Sequence, residues 1–470
     1  MTGVSARSQH IRTLKDEGYP REHFTMRLLS AFTSDTDKAL WRLALPMIFS
    51  NITVPLLGLV DTAVIGHLDS STYLGGVAIG AMATSFLFML LLFLRMSTTG
   101  LAAQALGAQD PPALARAFMQ PLLMAVLAGL AIVLLRHPLI DAALQVVGGD
   151  GAVLEQARLF LEIRWLSAPA ALANMVILGW LLGVQYVRAP VVLLIVGNLL
   201  NILLDIWLVM GLGWNVQGAA IATAISEYAT LLLGLLLAWR VMRIRGISAP
   251  MLRRAWRGNL RRLLALNRDI MLRSLLLQLC FASLTIFGAR LGGDVVAVNA
   301  VLMNLLTFTA YALDGFAYAV EAHSGHAYGA RDDSQLRKVW RAACRQACLV
   351  ALAFGVVYAF AGQHIVAALT SLPELRTLAS HYLPWQVALP LVGVWCYLLD
   401  GMFIGATRGA EMRNSMAVAA VGFGLTLFTV PVLGNHGLWL ALAVFLSLRG
   451  IALGWFWHRH RLHGTWFAVR

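Results

Sequence analysis

The sequence predicts an all-α polytopic membrane protein with twelve transmembrane helices, arranged as two pseudo-symmetric six-helix bundles around a central cavity. Three observations lead there. Of 470 residues, 59% are hydrophobic and only 13% charged, against roughly 25% charged in a soluble globular chain, and the mean hydropathy is +0.73. Apolar stretches of the ~20 residues that a bilayer core demands recur along nearly the whole length. Residues 64–110 also align without a gap on residues 286–332 at a constant offset of 222, so that Gly66 meets Gly288 and "GAQD" meets "GARD". No alternating ten-residue pattern of the outer-membrane barrel type is present, so the spans are helices.

The elements follow in order. Residues 1–40 carry both charge signs and lack the apolar core of a signal peptide. They read as a cytoplasmic tail with a short interfacial helix near the membrane, and Met26 serves as well as Met1 for a start. Six helices near 42–64, 76–100, 117–137, 161–184, 190–211 and 217–240 make a first lobe over 41–240. A basic cytoplasmic connector, 241–267, leads to a second lobe over 268–458. Its helices lie near 268–290, 297–324, 343–366, 384–406, 415–434 and 437–458. Residues 459–470 form a cytoplasmic C-terminal tail.

Lys and Arg test the count. They crowd the N-terminal tail, 240–268, 331–345 and the C-terminal end, whereas the connections between helices one and two, five and six, and eleven and twelve hold none. Cytoplasmic loops carry the excess of Lys and Arg, so both termini lie in the cytoplasm of a multi-pass inner (plasma) membrane protein. A second echo, 167–183 on 388–405 with one insertion, makes the repeats parallel with an even number of spans each. Two such bundles place a substrate between or within them.

The net charge of +13 invites a nucleic-acid partner, but the arginines sit between apolar segments, where membrane orientation accounts for them. Cys280, Cys344, Cys348 and Cys396 lie in or beside spans without a CxxC pair and read as small apolar fillers. The histidine-rich "HRHRLH" from His458 suits a basic end beside headgroups better than a metal site. No cofactor and no resident metal are expected.

Polar groups inside the spans carry the function. An ionisable residue there costs about 2.5–3.5 kcal/mol on insertion scales, so each is a functional candidate by default. In the first half these are Asp61 toward the outer end of helix one, and Asn198, Asn201 and Asp205 on one face of helix five. Thr223 and Glu227 share a face of helix six. Amides and hydroxyls can be simple interhelical glue; a carboxylate needs a stronger reason. Two carboxylates brought together can hold a proton near neutral pH, and with Asn and Thr oxygens the same group can ligate Na⁺. The second half has its own set: Asp314 and Glu321, seven apart on one face, and Asp400. Ser283 stands opposite Asp61, and Thr99 opposite Glu321, so the halves have diverged in their acids. Pro46 and Pro55 can kink helix one, and a bend at Pro46 can couple to the charge on Asp61; a static kink, or simply the helix start, accounts for the residues equally well.

At this point the motifs resemble a known family. "LPMIFSNITVPLLGLVDTAVIGHL" (45–68) and its repeat partner resemble the multidrug and toxic compound extrusion (MATE) family. "YALDGFAYAVEAHSGHAYGARD" (311–332) and "YLLDGMFIGATRGAEMRNSMAV" (397–418) are similar to its DinF-type branch, over roughly residues 41–458. The resemblance implies a bacterial exporter that exchanges organic cations for protons or sodium, working as a monomer. It implies a coupling-ion site at Asp61, Asn201, Asp205 and Thr223, with Pro46 as the conformational hinge. Asn198, Glu227, Asp314, Glu321 and Asp400 are supporting or secondary candidates. The acidic helix-seven residue of another branch has no counterpart in "LRSLLLQLCFASLTIFGAR" (272–290), which argues against a second-lobe mechanism. The expected partners are small amphipathic organic molecules and the bilayer.

The rivals are a flippase for a lipid-linked precursor, a passive channel and an intramembrane enzyme. A flippase needs cavity cations for phosphates, and the spans show Arg95, with Arg273 and Arg290 near span ends, against five or more carboxylates. No HExxH, GxSxG or paired GxGD motif supports an enzyme.

Overall fold

The computed structural model describes residues 34–68 and 71–468, and among these no strand occurs. Helix α1, Asp35–Gly66, begins where Ser34 accepts the Asp37 amide at 3.2 Å and where Asp35 and Asp37 meet the positive helix end. Residues 35–40 of the expected tail are therefore helix, while its first 33 residues lie outside the described ones. The second span is two helices, α2 (Ser71–Leu90) and α3 (Phe93–Gly107), not the single one predicted. Between them Leu91, Leu92, Leu94 and Arg95 bond three residues back, a tightened turn.

Helix α4, Pro111–Leu134, is followed by a short α5, Arg136–Val147, which the sequence pattern does not separate from its loop. Helices α6 (Gly151–Arg164) and α7 (Ala168–Gly183) join through a 3₁₀ turn at Trp165–Ser167 to form the fourth span. Helix α8, Arg188–Asp205, passes into a π-helical segment, Ile206–Gly211. Helix α9, Asn215–Ile244, closes the first half.

The basic connector holds α10 (Ala249–Arg254), and α11 (Leu260–Leu291) starts earlier than expected, so the run "RRLLALNR" is helical. The second half continues with α12 (Gly293–Gly329), α13 (Asp333–Leu369), α14 (Pro373–Gly405), α15 (Gly409–Thr426), α16 (Val430–Leu433) and α17 (Asn435–His463). Eleven stretches are long and apolar enough to cross a membrane, and the 32 residues of α1 supply the length of a twelfth. Beyond α17 the chain folds back: Arg408 donates to the carbonyls of Thr465 and Trp466, and Trp466 is buried.

The repeat is visible in the packing. "GAQD" and "GARD" do the same job: Gln109 and Arg331 take φ of 52° and 53°, and Asp110 and Asp332 then cap α4 and α13 through the amides of Ala113 and Gln335. Small residues let membrane helices approach closely. A β-carbon on Gly179 would stand 2.5 Å from the Arg95 carbonyl oxygen, and one on Gly401 would stand 2.9 Å from that of Ala317. Gly183 and Gly405 press likewise on Thr99 and Glu321. All four pairs obey the offset of 222.

The halves meet at one end of the bundle. A β-carbon on Gly107 would overlap the His326 carbonyl, and one on Gly329 would overlap the Gln104 carbonyl. These are equivalent residues in reciprocal contact, so a pseudo-twofold axis passes between the C-terminal ends of α3 and α12. Around it, Gln104 donates to the Gly405 carbonyl at 2.8 Å, Arg345 reaches Asp37 at 3.1 Å, and Gln346 reaches Asp37 at 3.0 Å. This is the end that carries the connector and the basic 331–345 segment.

Helix α1 belongs to both halves. Its lower part packs on α12, where Ile48 and Ala44 crowd Gly315 and Asn51 donates to the Tyr311 carbonyl at 3.2 Å. Two residues on, Thr53 accepts from Asn198 of α8 at 2.6 Å.

Candidate functional site

Helix α8 builds the first-half site. Its "NLLNILLD" spacing stacks Asn198, Asn201 and Asp205 on the face turned toward α1 and α9. Asn198 is half-buried and ties α8 to α1 through Thr53, whose hydroxyl donates on to the Ser50 carbonyl at 2.6 Å. That makes it a brace. Asn201 is buried, and its amide group donates to the Thr223 hydroxyl at 3.5 Å; Thr223 in turn donates to the Ala219 carbonyl at 3.1 Å. The Asn201 carbonyl oxygen is also buried and accepts no hydrogen bond from the described residues.

Asp205, 2% exposed, ends α8 at the step into the π segment. Such wide turns recur at functional sites, and this one is accommodated by Gly218, where a β-carbon would stand 3.2 Å from the Leu208 carbonyl oxygen. The structure thus brings buried Asn201 to half-buried Thr223 between α8 and α9, with buried Asp205 one turn further along the same face of α8. The side chain of Asp61, the fourth expected member, lies outside the described residues. A carboxylate with amide and hydroxyl oxygens suits a proton or a small monovalent cation. Among the described residues no group of three or more His, Cys, Asp or Glu could hold a metal ion.

Glu227 goes elsewhere. Arg164 grips it through two nitrogens at 2.8 and 2.9 Å, and the Ser167 hydroxyl donates to it at 2.6 Å. It fastens α9 to the fourth span.

Pro46 lies inside a continuous α1, where its carbonyl accepts from the Ser50 hydroxyl at 2.8 Å. It sits beside the Ile48–Gly315 contact that joins α1 to the second half.

The second-half carboxylates are not equivalent. Glu321 is buried and meets Arg95 of α3 at 3.0 and 3.4 Å, an ion pair that crosses from one half to the other. The Arg95 guanidinium also lies 4.6 Å over the Tyr318 ring. Asp400 is held by Arg273 at 2.6 Å and by Arg449, three groups from three helices of the second half. Asp314 is partly buried and has no hydrogen bond or ion pair among the described residues. It occupies the repeat position of Leu92, where the first half breaks between α2 and α3.

Sequence reasoning missed the arginine partners Arg164 and Arg449. The signal was present, since an arginine within an apolar stretch needs a carboxylate as much as the reverse.

A model of the MatE family matches residues 46–207 and 270–432, once in each half. Over 446 residues the chain is 74% identical to "DNA damage-inducible protein F" of Escherichia coli (strain K12), covering 95% of this chain and 97% of that one. It is 26% identical over 428 residues to "Probable multidrug resistance protein NorM" of Acinetobacter baylyi, covering 88% and 94%. Among solved structures, a MOP superfamily transporter from Pyrococcus furiosus superposes with a TM-score of 0.82 at 22% identity, over 93% of this chain and 98% of that one. A multidrug resistance MATE family transporter in an outward-facing conformation gives 0.82 at 22% identity, over 94% and 98%. These structures share the two-lobe helical fold. The chain belongs to the MatE family of multidrug and toxic compound transporters, in its DinF branch.

Proposed function

We propose that this transporter is a secondary antiporter that exports amphipathic, often cationic, organic compounds from a bacterial cytoplasm in exchange for protons, by alternating access. The observation that carries the reading is the polar stripe of buried Asn201, half-buried Thr223 and buried Asp205 at the α8 π step inside a membrane span. It is a costly place for a carboxylate unless that carboxylate works. Sodium fits the same oxygen set and is the alternative coupling ion.

The basic end of the bundle is the cytoplasmic one by the Lys/Arg rule, with both termini on that side. The halves touch at that end, which suits an outward-facing state in which the first-half stripe is reached from outside. Helix α1 links the stripe to the closed end, since Thr53 is braced to α8 and Asn51 to α12. A bend at Pro46, driven by the charge on Asp61, would loosen the Ile48–Gly315 contact. Antiport then requires only that the ion and the substrate favour different states. Met82, Phe86 and Met89, exposed on the α2 face turned from α6, suit an apolar or cationic cargo. The transporter works as a monomer.

A flippase for phosphate-bearing lipids is weaker on the same geometry. Its cavity would need free cations, whereas Arg95, Arg164, Arg273 and Arg449 are each committed to a carboxylate.

The test uses purified protein in sealed liposomes holding a fluorescent organic cation. A pH gradient without sodium should drive movement in the wild type and fail in Asp61→Asn and Asp205→Asn. Movement under a sodium gradient alone would keep the site and change its ion. Indifference to both gradients would reject antiport, and lipid flipping without dye movement would favour the flippase.

A further inference from the structure

The cytoplasmic seam contains a cavity that export does not explain. It measures about 360 Å³, within the range of small-molecule sites, and continues into a second of about 500 Å³ that shares Asn259, Arg262, Leu266 and Tyr328 with it. Its walls come from both halves and the connector between them: Gln104 and Arg116 from the first half, Arg262 from the connector, Tyr328 and Arg331 from the second half. Phe467 of the folded-back C-terminal segment forms part of the lining.

The charge in it is mainly positive: Arg116, Arg262 and Arg331 line the first cavity against one carboxylate, Asp110, and Asp269 and Glu411 line the second. Arg116, Arg262 and Arg331 have no carboxylate partner among the described residues, and the Arg116 Nε is buried without an acceptor among them. Arg262 spends one nitrogen on the Thr407 hydroxyl at 3.1 Å and keeps its other donors. The neighbouring carboxylates are occupied. Asp110 caps α4 through the Ala113 amide, Asp269 is held by Arg413 at 2.6 Å, and Glu411 is held by His460 at 2.7 Å. Three guanidinium forks around an apolar floor of Leu101, Leu263 and Leu266 are a receptor for a phosphate-bearing amphipathic anion.

We infer that this seam cavity binds a phosphate-bearing anion, either the headgroup of an anionic inner-leaflet phospholipid or a soluble phosphate ester, and that binding holds the cytoplasmic side closed. The cavity exists only while Gln104 and Arg116 stand beside Arg262 and Arg331. That juxtaposition depends on the Gly107–Gly329 crossing beneath it. A ligand that needs both halves stabilises the state in which they touch, and by linkage disfavours opening toward the cytoplasm. Orientation alone accounts for basic residues at this end, but it does not require them to converge on a concave site lined from both halves.

The test is binding, so it stands or falls apart from antiport. Full-length protein in neutral detergent is melted with short-chain phosphatidylglycerol, short-chain phosphatidylcholine or inorganic pyrophosphate. The variants are the triple Arg116→Gln, Arg262→Gln, Arg331→Gln and, as an equal-charge control off the cavity, the triple Arg253→Gln, Arg254→Gln, Arg257→Gln. Saturable stabilisation by phosphatidylglycerol but not phosphatidylcholine, lost in the triple variant and kept in the control, assigns the site to a lipid headgroup. The same pattern with pyrophosphate alone assigns it to a soluble phosphate. Should the triple variant not fold, Arg116→Gln decides, with an affinity weakened roughly fivefold. No stabilisation by either phosphate, or stabilisation that the substitutions leave intact, overturns the inference.

Discussion

Arg95 and Glu321 face each other across the seam between the two halves, buried and joined at 3.0 Å, on helices that the internal repeat makes equivalent. Nothing at the repeat positions reproduces the pair: Ala317 stands for Arg95 and Thr99 for Glu321. The pair is thus one asymmetric bond laid on a symmetric crossing, and the proposed alternating-access cycle requires it to part as the seam opens. Removing one member of a buried pair costs about 3–5 kcal/mol, because the other is left charged and unpartnered. Glu321→Gln should therefore lower the melting temperature and slow transport, and Arg95→Met should do the same. The double variant Arg95→Met, Glu321→Met should be less destabilised than the two losses summed. Additive losses in that cycle would show that the two residues do not act on one another.

The reciprocal glycines make a second prediction. Gly107 and Gly329 each leave room for a carbonyl of the opposite half, and a methyl group at either has nowhere to go. Overpacking of this kind typically costs about 1–3 kcal/mol. Here the cost falls on the closed seam. Gly107→Ala and Gly329→Ala should impair dye efflux to similar degrees, with cysteine-reactive probes placed near the seam labelling faster than in wild type. Gly66→Ala, where a β-carbon meets nothing within 4 Å, should leave both readouts unchanged. A normal labelling rate in both seam variants would remove the crossing from the gating cycle.

Much of this architecture is legible in the sequence, and the exceptions have physical causes. The spans follow from hydropathy and the pseudo-symmetry from the 222-residue offset, whereas the caps made by "GAQD" and "GARD" emerge only in the structure. The break between α2 and α3 is not legible, because no Pro or Gly announces it in "FLFMLLLFLRM" (86–96). The π segment after Asp205 is hidden because it depends on the fit of Gly218, on the next helix, against Leu208. The acidic candidates were found as residues, but only the family resemblance, and no spacing, separated a coupling set from a supporting one. Asn201, Thr223 and Asp205 form a local pattern on neighbouring helices, whereas the partners of Glu227, Glu321 and Asp400 come from 49 to 226 residues away in sequence. One-dimensional spacing cannot separate a working carboxylate from a fastened one when its arginine arrives by tertiary packing.

That sorting is testable within the first half. Glu227 is engaged by Arg164 and Ser167 and should be structural. Glu227→Gln keeps a hydrogen-bonding side chain but leaves the Arg164 charge uncompensated, so it should lower thermal stability while ion-driven dye efflux in the surviving protein keeps its dependence on the gradient. Asp205→Asn should do the opposite, abolishing the response to the gradient with a small change in melting temperature. Thr223→Ala, which removes the hydroxyl that Asn201 addresses, should weaken coupling by a smaller factor, about tenfold or less for the loss of one hydrogen bond. If Glu227→Gln abolishes coupling and Asp205→Asn spares it, the roles are reversed.

Asp314 separates function from folding more cleanly than Glu321 or Asp400. Glu321 and Asp400 each hold arginines, so a substitution there confounds lost chemistry with a stranded charge. Asp314 has no hydrogen bond or ion pair among the described residues, and it sits partly exposed on α12 at the level where the first half breaks its helix. A carboxylate inside a span that makes no direct bond is retained at a cost of a few kcal/mol, offset in part by the nearby charges of Arg95 and Arg449. Its removal should accordingly leave stability unchanged or raise it. Asp314→Asn is expected to melt no lower than wild type, and the informative readout is then the efflux of a permanently cationic dye beside that of a neutral one. Loss confined to the cationic dye would give Asp314 the task of meeting substrate charge. Equal loss for both dyes, with the gradient response gone, would make it a second coupling carboxylate. A variant that melts well below wild type would instead show that Asp314 has a structural partner, which would withdraw it from both roles.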